Sequence, residues 1–498
     1  MTKNDEVTVK IEDLSETGEG IGHADGLTLF VKDAVIGDTV KAGITKVKKT
    51  YCYARTIEVI HPSPDRTEPA CAIHRQCGGC QLQALSYSAQ LKFKRKKVEA
   101  CFERIGGFSF EDGKVKVGNT LGMEKPWNYR NKAQFPIGKD KNGKTVAGFY
   151  AGRTHAIIPW ENCPIEFPGH EKILAAVLSY MDEAGVSAYD EENGSGVVRH
   201  VLMRKAFATG EIMVVLVVNA RKIKRPELLI KKLGEIDLIV SIQLNINTEK
   251  TNVILGKECV TLYGRDYIED MIGDVRFRIS ALSFYQVNPM QTRVLYGKAL
   301  EACFSGNDKI EDSEKEGTSP VIWDMYCGIG TISLFLAKKA KQVYGVEIIP
   351  EAIANAKENA KLNGITNAEF FVGAAEDVVP LLYEKDPEKY RADIVVVDPP
   401  RKGCDEALLQ TIIKMAPEKI VYVSCDPATL ARDCRVLADG GYGVRSVQPV
   451  DMFPHSVHVE TVCLLSNTQR PKKESYITLD VEMEDYYRIK NEGKNSTT

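Results

Sequence analysis

The sequence lacks any apolar run long enough to cross a bilayer, for which ~20 consecutive apolar residues are needed. Its longest uninterrupted apolar run, Ile212 to Val218, has the length of a β-strand. The amino-terminal residues Met1 to Glu6 are polar and lack the apolar core of a secretory signal peptide. These absences predict a cytoplasmic protein that does not act at a membrane.

The sequence also lacks a strong excess of charge of either sign. Its 65 Lys and Arg against 68 Asp and Glu give a net charge of −3. This balance excludes a strongly basic tail protein but not a local basic groove. With 44% apolar and 27% charged residues, the composition is that of a folded globular chain. Its 498 residues predict several domains.

Disulfide bonds are not expected in the cytosol, so the 13 cysteines need another explanation. Isolated cysteines are most simply small, buried apolar side chains. Eight cysteines fit this description: Cys52, Cys101, Cys259, Cys303, Cys327, Cys404, Cys434 and Cys463. The other five occur in sequence patterns that indicate chemistry.

Residues 1–62 have the short strands and glycine-rich turns of a small OB-like β-barrel. Basic and aromatic residues are mixed in its second half: Lys41, Lys46, Lys48, Lys49, Tyr51, Tyr53 and Arg55. Such a mixture suits a surface that binds an RNA backbone and stacks bases. Lysines also protect solvent-exposed edge strands from unwanted pairing, and the sequence leaves both interpretations open.

A β-rich central domain is predicted at residues 63–90 and 126–280, after the proline-containing boundary His61 to Arg66. Its strands are indicated by three apolar runs at 197–207, 211–219 and 238–247. Residues 83–102 predict a helix whose basic face is expected to contact RNA. That face comprises Lys92, Lys94, Arg95, Lys96 and Lys97.

Strands and helices alternate over the last third of the chain, which predicts a doubly wound, Rossmann-like parallel sheet. The predicted strands are 321–326, 342–348, 370–372, 393–398 and 420–424, with a helix at 350–363. This α/β domain is predicted to comprise residues 91–125 and 281–466. A charged tail, 467–498, follows, with a further strand near 477–481. Ligands of such sheets bind at the carboxyl ends of the strands.

The first of these strands leads into Asp324-Met325-Tyr326-Cys327-Gly328-Ile329-Gly330, and Glu347 ends the second. The glycines allow the backbone to approach a ligand closely, and the acid is suited to accept hydrogen bonds from ribose hydroxyls. The third glycine of dinucleotide-binding folds is missing, because Thr331-Ile332-Ser333 follows. The pattern therefore favours a nucleoside without phosphates, such as S-adenosylmethionine.

Two further strand ends carry reactive groups. Asp398-Pro399-Pro400-Arg401 follows the fourth strand, and its prolines predict a rigid platform at the mouth of the cofactor pocket. Ser424-Cys425-Asp426-Pro427 follows the fifth strand and begins a helix with Asp426 as its N-cap. The helix amino terminus favours a thiolate, which makes Cys425 a candidate nucleophile. A carboxylate of Asp426 that faced the sulfur would oppose this.

The segment Asp451 to Glu460 contains His455, His458 and Glu460. Any of the three is suited to act as a general base, and together they also resemble zinc ligands. In an extended segment His458 and Glu460 share one face, whereas His455 does not. We favour Glu460 as the base.

A cysteine pattern occurs at Cys71, Cys77 and Cys80, with Cys163 as a distant fourth member. The short gaps and the glycines between Cys77 and Cys80 suit chelation by a tight loop. Four thiolates fit either zinc or a [4Fe-4S] cluster, and the spacing alone does not separate the two.

Taken together, these motifs resemble the RNA uracil-5-methyltransferases, in the subgroup with an amino-terminal TRAM domain and an iron–sulfur cluster. The resemblance covers residues 5–466 and also includes Phe284-Tyr285-Gln286-Val287-Asn288. It implies Cys425 as nucleophile, Glu460 as base and a [4Fe-4S] cluster with a structural or RNA-positioning role. The implied S-adenosylmethionine ligands are Gln286, Tyr326, Glu347 and Asp398. Asp426 departs from the family, which usually has Asn there.

The resemblance implies methylation of a specific uridine in RNA, and ribosomal RNA of the large subunit is favoured over transfer RNA. A monomer is the simplest expectation. One rival is an amino-methyltransferase, but such enzymes have an aromatic residue where Arg401 follows Pro400. A second rival is a non-catalytic protein that binds RNA or assists ribosome assembly, which would have no need of Cys425 and Glu460.

Overall fold

The structure is a computed structural model that describes residues 1–110, 115–152, 154, 156–305 and 319–469. Within this part of the chain, residues 1–467 form one compact unit. The strand predicted near 477–481 lies outside the described residues. Among the described residues, no helix combines the length and apolar character that a bilayer crossing requires.

The amino-terminal region is a six-stranded sheet in the order β1-β5-β6-β4-β3-β2. Its strands are β1 (Glu6–Lys10), β2 (Asp13–Leu14), β3 (Gly20–Ala24), β4 (Leu27–Lys32), β5 (Thr39–Val47) and β6 (Tyr51–His61). Alternate residues point into a small apolar core, among them Leu29, Val31 and Val40. At Gly22 an added Cβ would lie 2.4 Å from the carbonyl oxygen of Lys10, so only glycine allows β1 and β3 to pack this closely.

The segment that follows contains α1 (His74–Cys77), α2 (Tyr87–Arg104) and β7 (Lys116–Val117). The α2 helix begins later than predicted because Ser86 caps it, accepting a hydrogen bond from the Ala89 amide at 3.4 Å.

The central region is a seven-stranded sheet in the order β10-β9-β8-β11-β12-β13-β14, with two helices on one face. Its elements are β8 (Lys132–Lys139), β9 (Thr145–Tyr150), β10 (Ile157–Pro159), α3 (His170–Ala184), β11 (Val198–Lys205), β12 (Ile212–Val218), α4 (Pro226–Gly234), β13 (Ile239–Ile246) and β14 (Glu258–Gly264). The three strands predicted here are confirmed. Every residue of β12 is buried, which explains its unbroken apolar sequence.

A two-stranded hairpin, β15 (Tyr267–Ile272) and β16 (Val275–Ser280), and the helix α5 (Pro289–Phe304) lead into the last region. The Asn288 side chain caps α5 by accepting a hydrogen bond from the Gln291 amide at 3.2 Å.

The last region is an eight-stranded sheet in the order β19-β18-β17-β20-β21-β23-β22-β7. Its elements are β17 (Val321–Met325), α6 (Thr331–Ala337), β18 (Gln342–Glu347), α7 (Pro350–Leu362), β19 (Ala368–Val372), α8 (Ala375–Lys385), β20 (Ile394–Val397), α9 (Glu406–Met415), β21 (Lys419–Ser424), α10 (Pro427–Asp439), β22 (Tyr442–Val450) and β23 (Glu460–Asn467). Strands β17 to β21 are parallel. Strand β23 is antiparallel to both of its neighbours, β21 and β22, and β22 pairs in parallel with β7 at the edge of the sheet. The predicted doubly wound sheet is confirmed.

Two apolar cores cover the two faces of this sheet, because successive residues of a strand point to opposite sides. Ile322 and Val421 belong to one core, and Trp323 and Tyr422 belong to the other. The first core also contains Met213 of the central sheet. The predicted division between central and carboxyl-terminal domains at residue 280 therefore runs through a shared core, and it stays a prediction.

Candidate active site and cysteine cavity

Four predicted site residues lie at one edge of the eight-stranded sheet, at the carboxyl ends of four parallel strands. Tyr326 follows β17, Glu347 ends β18, Asp398 follows β20 and Cys425 follows β21. Glu460 begins β23, which runs antiparallel to β21 and pairs Thr461 with Ser424. The sheet register therefore places Glu460 beside Cys425, although 35 positions separate them in the sequence.

The turn after β17 lies against the acid that ends β18. The Gly328 amide donates a hydrogen bond of 3.2 Å to Glu347, and the Ile349 amide donates another of 3.1 Å. Tyr326, Gly328 and Gly330 have φ values of 70°, 57° and 82°, so the turn is left-handed at each of them. Two amides thus hold the Glu347 carboxylate in place while it remains partly exposed, which is compatible with the predicted contact to ribose hydroxyls.

Asp324 is an acid of this site that the sequence motif contains but to which no role had been assigned. Its side chain is fully buried and accepts a hydrogen bond from the Ser333 hydroxyl. Its other oxygen, Oδ1, has no hydrogen-bond partner among the described residues. Burial raises the pKa of Asp324 to about 7. The sequence could have indicated a role for Asp324, because this acid stands at the end of a buried strand, just before the glycine turn.

Asp398 and Glu460 are two further acids with raised pKa values. Burial and the charge of Asp324 raise the pKa of Asp398 to about 7. Burial and the charge of Asp398 raise the pKa of Glu460 to about 8, while the Arg401 guanidinium lowers it. Acids that repel one another in a shared, buried space favour a positively charged ligand.

The protonation state of Cys425 differs from the thiolate that the sequence predicts. Burial raises the pKa of its thiol to about 11, and the charges of Glu460 and Asp398 contribute to this rise. Arg401 acts in the opposite direction. The α10 amino terminus follows as predicted, but the Asp426 carboxylate caps it by accepting hydrogen bonds from the Ala428 and Thr429 amides at 2.9 and 3.2 Å. In the ligand-free chain the sulfur is therefore a thiol.

Gln286 lies just before α5 and is buried. The Asn131 side chain donates a 2.9 Å hydrogen bond to the Gln286 carbonyl oxygen, and the Asn131 amide donates to Val287 at 2.8 Å. Two residues earlier, Phe284 is 71% exposed. The central region thus fixes the position of the Gln286 segment.

His455 occupies a packed site rather than a reactive one. It has a φ of 67°, and its ring stacks on Trp127 with centroids 3.7 Å apart. The ring nitrogens lie 3.1 Å from the Pro126 carbonyl oxygen and 3.3 Å from the Gln90 amide nitrogen. Burial lowers the pKa of His455 to about 4. Among the described residues no three His, Cys, Asp or Glu side chains are grouped as ligands of a single metal ion. The packing of His455 disfavours the zinc interpretation of His455, His458 and Glu460, which stays a prediction.

The expected basic, RNA-facing surface of α2 is only partly present. Lys94 is completely buried, and its ammonium donates to Asp451 at 2.5 Å and to the Phe453 carbonyl oxygen at 3.0 Å. Lys97 donates to the Val457 carbonyl oxygen at 3.3 Å. The helix binds the segment that leads to Glu460, a partner more than 350 positions away that the sequence did not reveal.

The four cysteines of the predicted metal site line one cavity of about 360 Å³. These are Cys71, Cys77, Cys80 and Cys163. The cavity is also lined by Arg130, Trp160 and Glu166. The Trp160 Nε1 group has no hydrogen-bond partner among the described residues, and Arg130 Nε lies 3.2 Å from the Glu166 carboxylate as an ion pair. An unpartnered N–H donor beside sulfur ligands suits a negatively charged sulfur cluster.

Most of the basic and aromatic residues of the amino-terminal sheet lie on β5 and β6, whereas Lys48 and Lys49 lie in the turn between these strands. β5 is flanked by β1 and β6, and β6 is flanked by β5 and β4. The interpretation as a protected edge strand is therefore wrong for Lys41, Tyr51, Tyr53 and Arg55, which have a paired strand on each side. It stays open for Lys46, because β1 pairs with β5 only as far as Gly43. The rings of Phe30, Tyr51 and Tyr53 lie 5.6–5.7 Å apart, and Tyr53 is 39% exposed.

Comparison with known proteins agrees with this arrangement. The family model of tRNA (uracil-5-)-methyltransferases matches residues 213–468, and that of the TRAM domain matches residues 2–57. An uncharacterized RNA methyltransferase of Halalkalibacterium halodurans is 50% identical over 467 residues, covering 93% of this chain and 98% of the relative. Another, of Clostridium tetani, is 49% identical and covers 95% and 98% of the two chains.

Among solved structures, the tRNA (uracil-54, C5)-methyltransferase of Pyrococcus abyssi, crystallised with S-adenosyl-L-homocysteine, superimposes with a TM-score of 0.71 at 28% identity. The match covers 92% of this chain and 100% of that chain. The alternative of a non-catalytic RNA-binding protein is thereby set aside. The chain belongs to the tRNA (uracil-5-)-methyltransferase family of S-adenosylmethionine-dependent RNA methyltransferases and carries an amino-terminal TRAM domain.

Proposed function

We propose that this enzyme methylates C5 of a uridine in RNA through a covalent adduct between Cys425 and C6 of the uracil, with Glu460 as the base. The observation that carries the proposal is the register of β21 and β23. It places a thiol and a buried acid side by side at the ligand-binding edge of the sheet.

The chemistry requires both groups, because C5 of uracil is a poor nucleophile. Addition of the Cys425 thiolate to C6 forms an enolate and places electron density on C5, which then accepts the methyl group. The C5 proton passes to the Glu460 carboxylate, and cleavage of the C6–S bond returns the cysteine thiolate. One difficult substitution is thereby divided into two easier steps.

Gln286, Tyr326, Glu347 and Asp398 are proposed to hold S-adenosylmethionine. When bound, this cofactor supplies a methyl group on a positively charged sulfonium. A cation beside Asp398 and Glu460 lowers their pKa values, since it favours the charged form of each acid. The same charge favours the thiolate of Cys425. In the ligand-free chain the acids oppose the ionisation of one another and of Cys425. When the positively charged cofactor is present, it offsets this repulsion, and the acids and the thiol can ionise.

The four cysteines are proposed to hold a [4Fe-4S] cluster, with zinc as the alternative. A zinc ion would need its sulfur ligands to converge at ~2.3 Å on one atom. A cluster takes one thiolate on each of four irons, and a shared cavity of about 360 Å³ fits such a body. We assign the cluster a structural or RNA-positioning role.

Ribosomal RNA of the large subunit is the proposed substrate, because the TRAM-plus-cluster architecture that this chain resembles is more often found with it. Transfer RNA is the second candidate, and the similarity to the Pyrococcus abyssi enzyme favours it. In either case the target base must leave its stack to reach Cys425. The exposed basic and aromatic residues around Tyr53 are proposed to bind the flanking RNA.

The test is incubation of the protein with methyl-labelled cofactor and unmodified total RNA, followed by nucleoside analysis and mapping. We expect the label in 5-methyluridine, and the labelled fragment identifies the substrate RNA. The Cys425→Ala variant should lose methylation while it still binds the cofactor, and Cys259→Ala, on the central sheet, should retain activity. Label in another nucleoside, or full turnover by Cys425→Ala, would contradict the proposal.

A further inference from the structure

Two positively charged residues face each other across a strand pair of the central sheet. Lys132 of β8 lies directly opposite Arg204 of β11, which places their Cβ atoms ~4.5–5.5 Å apart on the same face. Like charges in this position destabilise a sheet. Arg130 lies two positions before Lys132 and adds a third positive charge. Such repulsion is tolerated in a folded protein only where another interaction offsets its cost in free energy.

The protein itself offsets only part of this charge. Arg204 donates to the carbonyl oxygens of Ala281 and Ser283 at 3.3 and 2.5 Å, and its Nε has no partner among the described residues. Arg130 lies 3.2 Å from the Glu166 carboxylate. The Lys132 side-chain ammonium has no ion-pair or hydrogen-bond partner among the described residues. Burial and the charges of Arg204 and Arg130 lower its pKa to about 8, and no acid acts in the other direction.

These cations lie beside the proposed active site. Arg204 binds one end of segment 281–287, and Asn131 binds the other end at Gln286 and Val287. Lys132 follows Asn131 directly and lies across from Arg204. It therefore lies between the two residues that hold the ends of segment 281–287. The same segment carries the exposed Phe284.

We infer that Lys132, supported by Arg204 and Arg130, binds a backbone phosphate of the RNA next to the target uridine. This inference rests on the proposed function and names a residue that would hold its substrate. An ammonium group binds a phosphate as a point charge, and a phosphate contact is what positions a flipped nucleotide without reading its sequence. The phosphate would also remove the repulsion between Lys132 and Arg204.

The test compares Lys132→Gln with Lys139→Gln, which changes an exposed lysine at the far end of the same strand. The probe is a synthetic RNA carrying the uridine that the wild-type enzyme methylates. We expect Lys132→Gln to bind it about tenfold more weakly, the loss of one charge-assisted contact. The slope of log K against log salt should fall by ~0.7–0.9. Lys139→Gln should change neither the RNA affinity nor the salt slope. The affinity for the cofactor should be unchanged in both variants.

A second measurement locates the phosphate. Replacing single linkages near the target uridine by neutral methylphosphonates should weaken binding to the wild-type enzyme at one linkage, and Lys132→Gln should be insensitive at that linkage. The melting temperature of Lys132→Gln should not fall, because the substitution relieves repulsion. Unchanged RNA affinity and salt slope, or weaker binding of the cofactor instead of the RNA, would overturn the inference. If the wild-type enzyme methylates no uridine, the proposed function itself fails.

Discussion

At the scale of single residues, the site is built for a positively charged ligand. Asp324, Asp398 and Glu460 all have raised pKa values because they are buried near one another. Arg401 is the cation that acts on Glu460 and Cys425. Protonation of the acids in the ligand-free chain and binding of a cationic cofactor are therefore linked processes.

This linkage predicts the pH dependence of the reaction. In the proposed mechanism Glu460 acts as the base only when ionised, and its pKa is about 8 in the ligand-free chain. At cofactor concentrations well below saturation, kcat/KM should therefore rise with pH through about 8 and continue to rise toward 9.5, because the Cys425 thiol, with a pKa of about 11, must also ionise. At saturating cofactor the rise in kcat should occur at lower pH, because the sulfonium favours the carboxylate. Initial rates from pH 6 to 9.5 check this, and identical profiles under both conditions would contradict it.

Replacement of Glu460 should stop the reaction at the covalent adduct between Cys425 and the uracil. In Glu460→Gln, Cys425 still adds to C6 and the methyl group is still transferred, but no carboxylate removes the C5 proton. We expect a protein–RNA adduct that survives denaturation and appears as a shifted band on a denaturing gel. Glu347→Gln is the matched control, since it should weaken cofactor binding without accumulating adduct. A gel without a shifted band would argue against the role of Glu460.

At the scale of elements, α2 holds the segment that carries the proposed base, Glu460. Lys94 and Asp451 form a completely buried ion pair, and the Tyr87 hydroxyl donates to the same carboxylate at 2.8 Å. Gln90 contacts His455 through both its side-chain amide nitrogen and oxygen. This helix, drawn from the first quarter of the chain, thereby fixes the path from Asp451 to Glu460.

Removing one member of the buried pair should destabilise the protein strongly. Lys94→Met leaves Asp451 buried without a counter-charge, at a cost of about 3–5 kcal/mol. The melting temperature should fall by several degrees, and activity should fall with it because the Glu460 segment loses its anchor. Lys92→Met, at an exposed position of the same helix, should change stability by less than ~0.5 kcal/mol. Equal melting temperatures for the two variants would contradict this role of α2.

At the scale of the whole molecule, residues 129–131 join the cysteine cavity to the active site. The Tyr129 hydroxyl donates to the Pro454 carbonyl oxygen at 3.2 Å, and the Asn131 side chain donates to Gln286 at 2.9 Å. Arg130, between them, lines the cavity with the four cysteines. A group bound in that cavity would therefore hold in place both the Gln286 segment, which is proposed to bind the cofactor, and the segment that leads to the proposed base, Glu460.

Loss of one cysteine ligand should consequently affect a distant part of the protein. The anaerobically purified wild-type protein should be brown and absorb at roughly 400 nm, as thiolate-bound iron–sulfur centres do. Cys77→Ser should lose iron and show faster amide hydrogen exchange at residues 126–131 and 284–288. Cys259→Ser, on the central sheet but outside the cavity, should keep its iron. Stoichiometric zinc in place of iron would overturn the cluster assignment.

The sequence by itself determined the local features of the protein. The strands β17 to β21, the glycine turn after Asp324 and the caps at Asn288 and Asp426 follow from hydrophobic periodicity and capping chemistry, which act over a few residues. The residue types at the strand ends likewise indicated a nucleoside site and a candidate nucleophile, because parallel strands bring their carboxyl ends to one edge.

Only the tertiary structure decided what depends on contacts between distant residues. The burial of Lys94 against Asp451, the packed state of His455 and the protonated state of Cys425 could not be predicted, since each depends on neighbours far away in sequence. The pKa of a thiol is set by the burial and charges around it, and here those charges come from other strands. Local sequence therefore specified which groups are present, whereas packing specified their charge and their partners.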